Sequence, residues 1–149
     1  MLIYFGASIR GGRDDVGLYM ELIEHLKKYG EVLSEHIGDS SITSAGEIRY
    51  SDRELHDRDV GLLFCADVAV MEVTTPSTRV GFEIGKAAGK KPVLCLYRPM
   101  PDRRLSAMIA GNPNLTVAHY ENAEAAKSLI DEFFKKIEKS QNVRPQDID

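Results

Sequence analysis

Short apolar runs alternate with longer stretches of helical periodicity along most of the chain, and this alternation constrains the fold more than any other feature. Five runs have strand length: Leu2 to Ala7, Glu31 to Glu35, Ala66 to Val73, Pro92 to Tyr97 and Leu115 to His119. The stronger ones are continuously apolar, as strands covered on both faces are, so the sheet they form is mainly parallel with helices on either side. The first helix is expected from Asp15 to Tyr29, with Val16, Tyr19, Ile23 and Leu26 on one side, a Glu24–Lys28 pair on the other and Gly30 as its C′ residue. Ser51-Asp-Arg-Glu54 reads as a capping box opening a second helix that runs to Cys65. A third helix spans Arg79 to Ala88 and stops at Gly89, and a short one covers Arg103 to Ala110. The last runs from Ala123 to Lys139, with Ala126, Leu129, Ile130, Phe133, Phe134 and Ile137 at helical spacing. The expected architecture is α/β, three layers with a five-stranded sheet, in one domain over residues 1–140 and a polar, frayed tail over 141–149.

The formal charge of −4, from 19 basic and 23 acidic residues, argues against a nucleic-acid or anionic-membrane surface but allows a local pocket for one phosphate. Cys65 and Cys95 lie in apolar stretches with unrelated spacing and read as buried, reduced thiols of a cytoplasmic protein. Four histidines and two cysteines make no zinc pattern, so no metal is expected. The opening Met1-Leu-Ile-Tyr-Phe5 leads into a strand and lacks the marks of a signal peptide, and no apolar run approaches membrane-spanning length.

Ligands of parallel sheets bind at the carboxyl ends of the strands. Three connections from that edge, 6–12, 36–50 and 74–83, carry the unusual residues. In Gly6-Ala-Ser-Ile-Arg-Gly-Gly12 the glycines allow backbone N–H groups close to an anion, while Ser8 and Arg10 add a hydroxyl and a positive fork. The same pattern fits an ordinary strand-to-helix turn, and neither the Walker A lysine nor G-x-G-x-x-G is present. In the second helix Leu55, Leu62, Leu63 and Ala66 form an inward stripe, and Asp59 falls inside it. An inward carboxylate must be hydrogen-bonded, paired or used; His56 is its nearest candidate partner, and a capping role at the pocket rim is the alternative. Glu83 lies in Gly81-Phe-Glu-Ile-Gly85, in the expected first turn of the third helix, where the positive helix end favours an ionised carboxylate. The two glycines share a helix face, which points to close approach by a ligand or by the sheet. Taken alone, Glu83 also fits a solvent-facing helix start, and Tyr4 fits core packing.

Leu2–Gly12 (LIYFGASIRGG), Leu55–Asp59 (LHDRD), Ala66–Val73 (ADVAVMEV), Thr75–Gly85 (TPSTRVGFEIG) and Leu105–Ile109 (LSAMI) together resemble the 2′-deoxynucleoside 5′-phosphate N-hydrolases of the nucleoside 2-deoxyribosyltransferase superfamily. The resemblance implies a flavodoxin-like or Rossmann-like sheet, a homodimer, no metal or organic cofactor, and release of a nucleobase from a deoxynucleoside monophosphate. It makes Glu83 the nucleophile, Asp59 the second catalytic carboxylate and Tyr4 the residue that orients the nucleophile. It assigns Ser8, Arg10 and Ser77 to the substrate phosphate, with Ser106 reaching that phosphate from the neighbouring subunit, and Ile9 and His36 to the sugar and base; Gly11 and Arg79 are candidates for the same phosphate by position. One departure stands out: the family motif S-L-G-V-G is Ser77-Thr-Arg-Val-Gly81 here, so Arg79 replaces a glycine whose backbone helps hold phosphate.

The implied chemistry is attack of Glu83 on the sugar C1′ through an oxocarbenium-like transition state, with an ester intermediate. A retaining scheme of this kind predicts carboxyl groups roughly 5–6 Å apart, and Asp59 needs a raised pKa to act as an acid near neutral pH. A nucleoside 2-deoxyribosyltransferase, a CMP-type ribonucleotide N-glycosidase and a non-catalytic nucleotide-binding module are the alternatives on the same fold.

Overall fold

The computed structural model describes residues 1–9, 15–39, 41–43 and 45–142. Strands β1 (Leu2–Gly6), β2 (Glu31–Val32), β3 (Val68–Glu72), β4 (Val93–Tyr97) and β5 (Thr116–His119) form one sheet in the order β2-β1-β3-β4-β5. Every neighbouring pair is parallel, more uniformly than the expected mainly parallel sheet. Among the described residues five α-helices accompany it: α1 (Val16–Leu26), α2 (Asp52–Cys65), α3 (Thr78–Ala87), α4 (Ala107–Ala110) and α5 (Ala123–Gln141). All of β3 and β4 is buried, as their continuous apolar sequence requires.

Two apolar clusters flank the sheet. One joins α1 and α5 to Ile3, Phe5, Val68, Val70, Leu94 and Leu96; the other joins α2 and α3 to Tyr4, Ala69, Met71, Val93 and Cys95. Alternate residues of each strand thus serve opposite faces. The α2 start carries the expected capping box: Ser51 Oγ accepts from Glu54 N–H at 3.2 Å, and the Glu54 carboxylate accepts from Ser51 N–H at 2.8 Å.

Several boundaries differ from expectation for local reasons. Strand β2 has two residues rather than five, because Ser34 Oγ takes over the next backbone pairing: it accepts from Phe5 N–H and donates to Phe5 C=O, both at 2.7 Å. The chain then turns through a 3₁₀ segment, Glu35–Gly38. Helix α1 ends at Leu26, before the expected Tyr29, and Glu24 pairs with Lys27 at 2.6 Å rather than with Lys28. Gly30 is not a left-handed C′ residue; a Cβ there would stand 2.0 Å from the Met1 carbonyl oxygen, which accepts the Glu31 N–H and sets the β1–β2 register. Gly89, by contrast, has φ +76° just past α3, as a helix stop needs. Helix α4 is shorter than expected because Arg103 is held in a turn to Met100. Cys65 is exposed, contrary to the expected burial, whereas Cys95 is buried and its thiol is pushed up to about 12. Among the described residues, no helix is long and apolar enough to cross a membrane.

Candidate active site

The strand order reverses direction between β1 and β3, and ligands of such sheets bind at that point of the carboxyl edge. A cleft of about 600 Å³ opens there, between the α2 and α3 faces and the 46–47 segment. Its lining includes Ile9, Glu47, Asp59, Ser77, Arg79 and Glu83. This is the size of a small-molecule site.

Ser77 caps α3, its Oγ accepting from Val80 N–H at 3.3 Å, and so fixes where the helix begins. With Thr78 as first residue, Glu83 falls in the second turn, not the first, and the helix-end argument for its ionisation weakens. The side chain points inward over β1 and is only 3% exposed. Tyr4 Oη donates to Glu83 Oε1 at 2.8 Å. The other oxygen, Oε2, is buried without a hydrogen-bond partner among the described residues. Gly6 makes room for it: a Cβ there would lie 3.0 Å from Oε2 and 2.4 Å from Met71 Sδ. Burial pushes the Glu83 carboxyl above the usual carboxylate range, against the opposing charge of Arg79 and the Tyr4 hydroxyl. Burial, together with the Glu83 charge, also holds the Tyr4 phenol well above its ordinary value, so it stays a donor.

Asp59, 5% exposed, faces the cleft from α2 as the inward stripe predicts. Its partner is not His56, whose Nδ1 meets Asp57 at 2.9 Å. Instead Arg58 Nε donates to Asp59 Oδ1 at 2.8 Å, His36 Nε2 lies 3.4 Å from that oxygen, and Arg79 donates to Oδ2 at 2.5 Å. Burial alone would raise this carboxyl, but the nearby His36 ring, the Arg58 hydrogen bonds and the Arg79 charge outweigh it and bring it down to about 2. That is opposite to the raised value expected of a general acid near neutral pH. Asp59 is ionised.

Arg79 joins the two carboxylates. Its Nε donates to Glu83 Oε1 at 3.0 Å and its terminal nitrogen to Asp59 Oδ2. The departure from the family glycine therefore engages the expected catalytic pair directly.

Sequence reasoning missed Glu47 and Arg58. Arg58 makes a two-pronged pair with Glu47, at 2.9 and 2.7 Å, and reaches His36 Nε2 at 3.0 Å, fastening the 36–50 connection to α2. The available signal was an arginine next to an inward aspartate. His36, Glu47 and Asp59 have ligand atoms within 4.8 Å of one another, the donor types of a metal site. Arg58 already hydrogen-bonds all three, so a metal ion would have to displace a fixed positive charge.

Of the other expected residues, Ser8 is buried, with Oγ unpartnered among the described residues. Ile9 lines the cleft and Ser77 stands at its rim. Arg10 and Gly11 lie outside the described residues. Ser106 caps α4, is exposed and does not line the cleft. Gly81 and Gly85 have open space around them, so nothing in this chain makes the expected close approach.

No protein-family model matches the chain. It is 44% identical over 144 residues to the 5-hydroxymethyl-dUMP N-hydrolase of Danio rerio, covering 94% of this chain and all of that one. It is 43% identical to the 5-hydroxymethyl-dUMP N-hydrolase of Homo sapiens, covering 89% of this chain and 79% of the relative. The solved structure of Clostridium botulinum CMP N-glycosidase, BcmB, superposes with a TM-score of 0.66 over 89% of this chain and 99% of its own, at 16% identity, and shows the shared fold. With a Nematostella vectensis relative named 2′-deoxynucleoside 5′-phosphate N-hydrolase 1, 47% identical over 88% of this chain and 92% of its own, these relatives show that the chain belongs to the family of 2′-deoxynucleoside 5′-phosphate N-hydrolases.

Proposed function

We propose that this protein hydrolyses the N-glycosidic bond of a 2′-deoxynucleoside 5′-monophosphate, giving a free nucleobase and 2-deoxyribose 5-phosphate. One observation carries the reading: Glu83 is buried at the carboxyl edge of a parallel sheet, held by the Tyr4 hydroxyl, beside an ionised Asp59 in a cleft of nucleotide size. The names of the relatives make 5-hydroxymethyl-dUMP the first substrate to test.

In this scheme the phosphate docks on Ser8, Arg10, Gly11 and Ser77, near the start of α3, where helix N–H groups favour an anion. Docking carries C1′ to Glu83, so remote binding energy serves the reaction. A Glu83 oxygen bonds to C1′ as the C1′–N bond breaks, and the base leaves with the electron pair. Water then attacks C1′ of the ester and frees the carboxylate; its hydroxyl stays on the sugar and its proton balances the one the base takes up. Asp59, being ionised, orients the sugar rather than protonating the base. Ile9 and His36 border the sugar and base region, and the chemistry needs no cofactor.

The active unit is a homodimer with Ser106 crossing to the partner's phosphate site. Support comes from exposed apolar groups on the α2–α3 face, Phe64 and Phe82, from Met108 beside Ser106 at 83% exposure, and from the uncovered Gly81 and Gly85. The setting is cytoplasmic, supported by two unpaired cysteines.

The test is a panel of deoxynucleoside monophosphates including 5-hydroxymethyl-dUMP, the matching ribonucleotides and the phosphate-free deoxynucleosides, with free base followed by chromatography. Base release confined to deoxynucleoside monophosphates is the expected result. Sugar transfer to an added second base would move the reading to a transferase, and preference for CMP to a ribonucleotide glycosidase.

A further inference from the structure

In the structure the expected nucleophile is occupied. Glu83 Oε2 is packed against Gly6, and Oε1 carries both the Tyr4 hydroxyl and Arg79 Nε. A carboxylate oxygen that holds a guanidinium N–H has a lone pair engaged, and the guanidinium stands on the cleft side where C1′ must arrive. The same guanidinium also binds Asp59 and lies 4.0 Å from Glu47. Arg79 is therefore a latch across the acidic groups of the cleft.

The latch is unequal at its two ends. Asp59 keeps Arg58 and His36 when Arg79 leaves. Glu83 has no other cation among the described residues and would be left with Tyr4 alone. Asp59 and Glu83 are buried, whereas the Arg79 side chain is 28% exposed and long enough to turn without moving the backbone. Arg79 is also the second residue of α3, two residues past the Ser77 cap and within the first turn. An anion arriving at that helix start competes for the guanidinium, and a phosphate dianion outmatches a monovalent carboxylate.

We infer that Arg79 is a phosphate-operated latch, a positioning residue that neutralises Glu83 in the empty site and swings to the substrate's 5′-phosphate, releasing the nucleophile only when that phosphate is bound. This rests on the hydrolase reading. It makes the phosphate a trigger as well as a handle: phosphate-free deoxynucleosides meet a latched site and are spared.

The experiment compares wild type with Arg79→Gln and Arg79→Gly, two variants of different helix propensity that must agree. Base release is measured from a deoxynucleoside monophosphate, and from the deoxynucleoside with and without saturating inorganic phosphate. Wild type is expected to speed up on the deoxynucleoside when phosphate is added, by roughly 5- to 150-fold, the usual range of coupling between two sites. Both variants are expected to cleave the deoxynucleoside faster than wild type without phosphate, and to gain nothing when it is added. If the variants only lose activity on the monophosphate and stay as slow as wild type on the deoxynucleoside, Arg79 is a plain phosphate ligand and the latch is overturned. Equal phosphate activation in wild type and variants overturns it too. If wild type releases base from no nucleotide in the panel, the hydrolase reading fails. The latch is then judged from the Arg79 Nε–H resonance of ¹⁵N-labelled protein: a shift on adding inorganic phosphate supports the swing, and a fixed resonance rejects it.

Discussion

The two helical layers that cover the sheet are built to different ends. The α1–α5 side is closed: Leu22, Leu26, Ile130 and Phe134 are fully packed, and Tyr29 stacks on Phe134 with ring centres 4.4 Å apart. The α2–α3 side is open, with Phe64 and Phe82 in solvent, uncovered glycines and the cleft. Each side also buries a glutamate. Glu72, at the end of β3 on the α1–α5 side, accepts its hydrogen bonds from neutral donors, Thr74 and Tyr120. Glu83, on the other side, shares its cation with a second carboxylate. Burial raises both carboxyls, but Glu83 is hydrogen-bonded directly to a cation and lines a cleft, whereas the Arg98 charge near Glu72 is paired with Asp15. Burying a carboxyl does not make a site; the open layer does.

The comparison can be broken at five points. Glu83→Gln keeps the shape and removes the proposed nucleophile, so turnover should fall on the order of 10⁴-fold in a single-turnover assay with folding unchanged. Phe134→Ala, on the closed side, should cost about 3–5 kcal/mol by urea denaturation and leave the kinetic constants of the folded fraction alone. Gly6→Ala forces Met71 and the Glu83 carboxylate aside; a displacement of this kind costs about 10²-fold in kcat. Glu72→Gln addresses pH. The folded-state pKa of Glu72 is raised, so the native state holds its proton more tightly than the unfolded chain, and stability falls as pH rises from the ordinary carboxylate range through the raised value. As pH rises from the ordinary carboxylate range through the raised value the wild type should lose more stability than Glu72→Gln, with the contribution of Glu83 common to both. Smallest of all, Phe82→Ala on the open side should change monomer stability by less than about 0.5 kcal/mol. Its effect should instead show in sedimentation, as a weaker dimer.

Much of this was legible in the chain. Continuous apolar strands gave the parallel sheet, Ser51 and Glu54 the start of α2, and the inward position of Asp59 its place in the cleft. What was not legible depends on contacts distant in sequence. Nothing local says that Ser34 would replace a strand pairing, or that Gly30 exists for the Met1 carbonyl. The ionisation of Asp59 was misjudged because Arg58, Arg79 and His36 converge on it from three segments. Arg79 stood out as a departure from a motif, but its reach to both carboxylates could be seen only in three dimensions.

The Tyr4–Glu83 hydrogen bond has a consequence in time. Its two residues are 79 apart, and β1 lies inside the sheet, paired to β3 as well as β2. At a synthesis rate of roughly 5–20 residues per second, about 4–16 s separate the emergence of Tyr4 from that of Glu83. Through that interval an apolar strand waits for its central neighbour, and such non-local pairing is slow to form. A nascent chain that has not yet delivered α3 has no Glu83 against Tyr4, so the proposed nucleophile is seated only when the middle of the fold has closed.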